Sequence, residues 1–367
     1  NPSDSSVWAE IPDGGRLEAR AAIHAAHTAF PLWSTLQFNQ RAQYMIKVAE
    51  VFEKRKTDIV EALKSEGGGW SGKGMFETGY VTEIFYSAAA SNYAPIGEVI
   101  PSETGKLSMA MRRPMGVISV ISPWNFPVVL TGRGIAFAIA AGNTVVLKPS
   151  EETPFCGGLL FAEIFEEAGV PDGVLNVVTC SRNSVTEVGE ELIENPLVKG
   201  ISFTGSTAVG RQIGARAGAH LKKFCLELGG KDALIVCDDA DMDRATAAAN
   251  FGSFMHQGQI CMSVEKVLVQ EGIFDTFLNK FVERASKLKV GDPTKDDSNI
   301  IGPLINDEQV TKSRDQIEDA LTKGAKLVLG GGINGRFVDP TIFVGITPEM
   351  RLYQEENFGP VVPVIPF

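Results

Sequence analysis

Three groups in this chain can do chemistry by type and setting: a thiol in a glycine-containing polar turn, a carboxylate entering a Gly-Gly turn, and a side-chain amide between two prolines. The thiol is Cys261, within Gln257-Gly258-Gln259-Ile260-Cys261-Met262-Ser263. A turn between a helix and a strand leaves a thiol accessible and aims its backbone N–H at a ligand, the setting a nucleophile needs. The carboxylate is Glu227, in Cys225-Leu226-Glu227-Leu228-Gly229-Gly230-Lys231. Apolar neighbours would partly desolvate it and raise its pKa toward that of a general base. The amide is Asn125, in Pro123-Trp124-Asn125-Phe126-Pro127, where fixed backbone on either side can preorganise an oxyanion donor. Locally each has a plainer reading: a buried small thiol, an edge-strand glutamate paired with Lys222, and a turn asparagine. His256, five residues before Cys261, also leaves a Cys/His protease open.

Two segments point to a nucleotide. Ile201 to Gly210 reads as a strand, a turn at Gly205 and a helix start capped by Ser206 or Thr207, an arrangement that presents backbone amides to a phosphate. It lacks the Gly-x-Gly-x-x-Gly pattern, so on its own a capped helix after a glycine turn is the preferred reading. Lys148 ends a predicted strand and Glu151 follows, where a cation and a carboxylate can hold ribose hydroxyls and repel a 2′-phosphate, favouring NAD over NADP. A solvated lysine and a helix-capping glutamate are the alternative.

Composition narrows the classes. The 367 residues carry a net charge of −11, 44% hydrophobic and 22% charged residues, which suits a soluble two-lobed protein acting on small molecules and gives nucleic acid no basic footprint. The chain has no apolar run of the length a membrane span needs and no visible signal peptide. Five scattered cysteines without a Cys-x-x-Cys pair point to a reducing cytoplasm, and His24 and His27 have no third ligand to make a metal site.

These groups need a scaffold. Helical periodicity runs from Arg16 to Lys64, and Ile96 to Arg113 reads as a β-hairpin or arm. Strands are predicted near residues 115–121, 144–147, 175–178 and 200–203, alternating with helices. A second series has strands at 233–236 and 266–269 and helices around 241–255 and 274–288. Such alternation predicts parallel, doubly wound α/β sheets. Asp292 to Asn299 is a surface loop, and the chain stops in a strand ending at Phe367.

Taken in order, Pro123–Pro127, Leu147-Lys148-Pro149-Ser150-Glu151, Phe203-Thr204-Gly205-Ser206-Thr207, Glu227–Lys231, Gly258–Cys261 and Glu355-Glu356-Asn357-Phe358-Gly359-Pro360 closely resemble the aldehyde dehydrogenase superfamily. The resemblance implies a Rossmann-like NAD-binding domain over 1–95 and 115–228, an oligomerisation arm over 96–114 and a catalytic α/β domain over 229–367 that the family continues further. It implies Cys261 as nucleophile, Glu227 as general base, and Asn125 with the Cys261 amide as oxyanion hole. Ile121, Ser122, Trp124, Lys148, Glu151, Gly205, Ser206, Gly229, Glu356 and Phe358 are implied in holding NAD or NADP, with Glu356 and Phe358 at the nicotinamide end. Asn357 departs from the isoleucine usual at that place. The implied activity is oxidation of an aldehyde to its acid by a homo-dimer or homo-tetramer. The stretch Phe251 to Ser263 looks like the branch that takes benzaldehyde, salicylaldehyde or vanillin. Aliphatic aldehydes or semialdehydes, a non-catalytic nucleotide-binding fragment and a thioester hydrolase remain as alternatives.

Overall fold

The N-terminal segment is helical because its apolar residues recur on one face. In the computed structural model, which describes residues 1–367, α1 (Arg16–Thr35) buries Ala19, Ile23, Ala26 and Trp33. α2 (Phe38–Lys54) buries Ala42, Met45, Val48, Ala49, Val51 and Phe52. α3 (Lys56–Gly67) and α4 (Ser71–Ser91) follow. The chain forms two compact units, one of Glu10–Ile59 and Met75–Glu227, the other of Asn1–Ala9, Val60–Gly74 and Leu228–Phe367. The sequence assigned all of 1–95 to the first domain, yet residues 1–9 and 60–74 group with the later part of the chain. Within that unit Ser3 Oγ donates to Asp292 Oδ1 (3.1 Å) and the Ser71 N–H to Asp297 Oδ1 (2.9 Å).

In the first unit, β1 (Gly97–Ile100) and β2 (Ser108–Met111) form an antiparallel hairpin, in register from Gly97 opposite Met111 to Ile100 opposite Ser108. The α/β core follows as β3 (Val117–Ile121), α5 (Pro127–Ala140), β4 (Thr144–Lys148), α6 (Leu160–Glu167), β5 (Leu175–Val177), α7 (Val185–Glu194), β6 (Val198–Thr204), α8 (Thr207–Ala219) and β7 (Lys223–Glu227). Its five strands are parallel in the order β5-β4-β3-β6-β7. The order reverses at β3, which makes the β3/β6 boundary a topological switch point, where open α/β sheets bind ligands. All five residues of β4 are buried, as a central parallel strand covered on both faces requires. In the helical layer Phe52 stacks on Phe85 (centroids 5.6 Å apart) and meets Phe161 edge-on (5.3 Å). The helix predicted from Gly157 begins instead with a wide turn over Phe155–Leu159.

In the second unit come β8 (Ala233–Val236), α9 (Met242–Phe254), β9 (Lys266–Val269), α10 (Phe274–Ala285), α11 (Asp307–Thr322), β10 (Lys326–Leu329), β11 (Ile333–Asn334), β12 (Phe337–Val338), β13 (Thr341–Val344), α12 (Arg351–Gln354) and β14 (Val361–Pro366). The main sheet has the order β10-β13-β14-β9-β8, parallel except for β10. Its core gathers Phe254, Phe277, Phe281, Val267, Val269, Ile342, Val362 and Val364. No helix is long and apolar enough to cross a membrane.

Candidate active site

Parallel pairing brings one set of candidate residues to the carboxyl edge of the first unit's sheet. Ile121, the last residue of β3, lies between Lys148 on β4 and Phe203 on β6. Beyond it the Ser122 N–H donates to Lys148 O (3.1 Å), and the Ser122 hydroxyl shares a 2.8 Å hydrogen bond with Thr131 on α5. Trp124 and Asn125 follow in the bend before Pro127, Asn125 only 4% exposed. Lys148 is 4% exposed, so it is no solvated surface lysine. Its Nζ is 3.6 Å from Glu151 Oε2, while Glu151 Oε1 is 3.2 Å from Arg182 Nε. Arg182 carried no signal in the sequence.

On the other side of the switch point, Gly205 separates β6 from α8. Ser206 is the N-cap of α8, its Oγ accepting from the Val209 N–H at 3.4 Å. A Cβ on Gly205 would stand 2.5 Å from the Phe203 ring, so this bend needs glycine for packing as well. The Gly205 N–H donates to Glu227 O at 3.0 Å, which joins the turn to the end of β7. The expectation of a desolvated Glu227 is corrected: β7 is an edge strand and Glu227 is exposed. Lys222 does not pair with it either, since its Nζ donates to Ile193 O and Asn195 O, both at 2.6 Å. A buried cation beside a carboxylate, a capped helix start and a switch point between them suit a dinucleotide's ribose and pyrophosphate.

In the second unit the candidates cluster at the opposite kind of edge. Cys261, Gly229 with Gly230, and Glu356 to Phe358 all lie just before the amino ends of β9, β8 and β14. Cys261 is half-buried in a turn that follows three consecutive left-handed residues, His256 (φ 48°), Gln257 (57°) and Gly258 (71°). The turn is held by its own polar residues. Gln257 Nε2 donates to Pro303 O (2.8 Å), and Gln259 Oε1 accepts from the Ile305 N–H (3.0 Å). Gly258 is obligatory twice over, because a Cβ there would also collide with the Gly359 backbone.

The segment 356–358 is held by a residue that carries no signal in the amino-acid order. The Glu265 carboxylate, 5% exposed, accepts from Lys231 Nζ (2.7 Å), the Asn357 N–H (2.8 Å) and the Phe358 N–H (2.9 Å). Such a saturated buried pair positions its neighbours, and removing one partner typically costs about 3–5 kcal/mol. Phe358 itself is left-handed (φ 57°). The unusual Asn357 is fully buried: its Nδ2 donates to Gln316 Oε1 (2.8 Å), while its Oδ1 has no hydrogen-bond partner, and Gln316 Nε2 donates to Glu356 O (3.3 Å). The Glu356 carboxylate accepts from the Gly230 N–H at 3.3 Å and crowds Gly229, where a Cβ would overlap it.

The family model described as aldehyde dehydrogenase family matches residues 1–367. The chain is 44% identical to a benzaldehyde dehydrogenase of Bacillus subtilis (strain 168), over all of this chain and 75% of that protein. The crystal structure of a salicylaldehyde dehydrogenase from Pseudomonas putida G7 complexed with salicylaldehyde superposes with a TM-score of 0.97 at 40% identity, over all of this chain and 76% of that one. An NADP-dependent enzyme of E. coli gives a TM-score of 0.97 at 38% identity, again over the whole chain and 76% of its own.

Burial raises the pKa of Glu356 above its ordinary 4.5, and the nearby Glu265 adds to this, against Lys312, the Gly230 N–H and Lys231. The raised value means that the folded state holds this proton when the unfolded chain has lost it, so the contribution is present at low pH and is lost as pH rises through the folded value. Glu356→Gln keeps the oxygen facing Gly230 and removes the titration. Its melting temperature relative to the wild type should therefore climb as pH rises from the ordinary carboxylate value of 4.5 through the raised one. Paired thermal melts over a pH series that starts below the ordinary value check this, and a constant offset would refute it.

Proposed function

Because this chain belongs to the aldehyde dehydrogenase family, we propose that it oxidises an aromatic aldehyde to the carboxylic acid through a covalent thioester on Cys261, with NAD as its preferred cofactor. The observation that carries this reading is the setting of Cys261, a half-buried thiol fixed by a strained, hydrogen-bonded turn at the sheet edge that also holds Glu356 and Phe358.

The Cys261 thiolate adds to the aldehyde carbon, forming a C–S bond and placing the carbonyl electron pair on oxygen. The side-chain amide of Asn125 and the Cys261 N–H donate to that oxyanion. A bound nicotinamide supplies the acceptor for the hydride that leaves the same carbon. Cys261 then carries a thioester. Glu227 takes a proton from the water that attacks it, the C–S bond breaks, and the acid leaves with the thiolate restored. Lys148 and Glu151 would hold the adenosine ribose of the dinucleotide, Ile121, Ser122 and Trp124 would line its crevice, and Gly205 and Ser206 would receive the pyrophosphate. Gly229, Glu356 and Phe358 would hold the nicotinamide end. Glu151 repels a 2′-phosphate and favours NAD, while Arg182 beside it tempers the discrimination.

Two features support the substrate class and the assembly. Phe76 stacks on Tyr80 (5.6 Å, 15°) and meets Phe126, the neighbour of Asn125, edge-on (6.2 Å, 88°), giving an aromatic surface beside the amide. The β1–β2 hairpin exposes Val99 (66%) and Met109 (53%); a two-stranded ribbon is marginal alone, and a second copy of this chain would cover it. The five free cysteines suit a reducing cytoplasm.

Purified protein given benzaldehyde and NAD should form NADH, faster than NADPH from NADP, and Cys261→Ala should abolish both; turnover by that variant would disprove the thioester route. Phe76→Ala should raise KM for benzaldehyde by about tenfold, consistent with losing an aromatic contact of about 1 kcal/mol plus its buried area, and should leave KM for propanal nearly unchanged. Equal effects on both aldehydes would count against the aromatic assignment. Light scattering should give the mass of a dimer or tetramer, and charged substitutions at Val99 and Met109 should lower it; a monomer in the wild type would end the arm reading.

A further inference from the structure

We propose that Glu77 is a positioning residue for Asn125: a buried carboxylate on α4 that caps α5 across the fold and so fixes the bend carrying the oxyanion-stabilising amide. The proposal rests on the role given to Asn125 above.

A helix leaves its first N–H groups without partners inside the helix, and a polar N-cap side chain usually accepts from them. α5 has none. Its N-cap is Phe126, an aromatic with no acceptor, and Pro127 at the next position has no N–H to satisfy. The first donors needing a partner are those of Val128 and Val129, whose side chains are buried, so water is a poor substitute. Both donate to one oxygen, Glu77 Oε2, at 3.0 and 3.2 Å. Glu77 is 0% exposed, and its negative charge faces the positive end of the α5 dipole.

The far end of the same bend is tied separately. The Ser122 N–H is held by Lys148 O, and the Ser122 hydroxyl by Thr131, whose own hydroxyl donates to Gly157 O at 2.9 Å. Asn125 therefore lies between two anchors, with proline at 123 and 127 limiting the backbone between them. Delegating the cap to Glu77 frees position 126 for a phenylalanine, which joins the Phe76–Tyr80 surface. An oxyanion donor works only when placed to within about 0.5 Å, so a small shift at the start of α5 reaches the chemistry.

A double-mutant cycle decides the matter. Asn125→Ala should lower kcat with benzaldehyde and NAD by about 10²–10³, as loss of an oxyanion donor does. Glu77→Leu, similar in size but unable to accept, should lower kcat by about ten- to a hundredfold while the Kd for NAD, read by calorimetry, stays close to wild type. Glu77→Gln, which keeps an oxygen for the two N–H groups, should recover most of that loss. In the Asn125→Ala background, Glu77→Leu should cost no more than about twofold further, because the amide it positions is already gone. Should Glu77→Leu fail to fold, Glu77→Asp, with its carboxylate withdrawn by one methylene, takes its place in the same cycle. Equal losses in both backgrounds, or a Gln variant as impaired as Leu, overturn the positioning role. Wild-type turnover by Asn125→Ala would instead remove the role of Asn125 itself, and this proposal with it.

Discussion

A strand paired in parallel with its neighbour ends on the same edge of the sheet as that neighbour, and the rest of the chain must cross back before it can pair again. In the first unit this constraint delivers Ile121, Lys148, Thr204 and Glu227 to a single edge, although they span more than a hundred positions in sequence. In the second unit the segments that matter precede the strands β8, β9 and β14. The two units thus use opposite ends of parallel strands, one for turns that leave a sheet and one for turns that enter it. A turn leaving a strand feeds a helix N-terminus, which suits phosphate. A turn entering a strand offers no such helix start, and here it carries a thiol and a short segment that needs support.

Buried charge supplies that support. Glu265 saturates its oxygens with Lys231 and two consecutive backbone N–H groups, and Glu77 accepts two more at the head of α5. Neither is economical as a source of stability, because desolvating a carboxylate offsets much of what its hydrogen bonds return. Both hold irregular backbone that no regular ladder could satisfy. A carboxylate that accepts several donors restricts where each can go, and these are bends whose position matters.

The alternation of apolar runs was enough to read the doubly wound order, since β3, β4, β6, β8 and β9 are short hydrophobic strands between amphipathic helices. The hairpin announced itself through Gly97, Pro101 and Gly105. α11 escaped because Asp307–Thr322 is dominated by charged and polar residues and buries only Val310, Ser313, Gln316, Ile317 and Ala320. β10 to β13 escaped because strands of two to four residues carry too little period to detect. At the site, residue types and order were legible and their surroundings were not. Apolar neighbours of Glu227 implied burial, but Leu226 and Leu228 say nothing about β7 lying at an edge. Glu265 and Glu77 look like ordinary glutamates, because their importance lies with backbone groups 92 and 51 residues away.

The left-handed run before Cys261 bears on how far this protein can be stabilised. His256 and Gln257 each occupy a backbone region that costs an L-residue on the order of 1–3 kcal/mol, and the hydrogen bonds of Gln257 to Pro303 and Gly68 help retain it. Replacing Gln257 with glycine would relieve the torsional cost and cut the tether together. The turn is therefore a small store of instability that repacking elsewhere can offset but that cannot be eased locally without loosening the thiol. Selection for heat tolerance would be expected to spread its changes over helices and loops and to leave this bend alone.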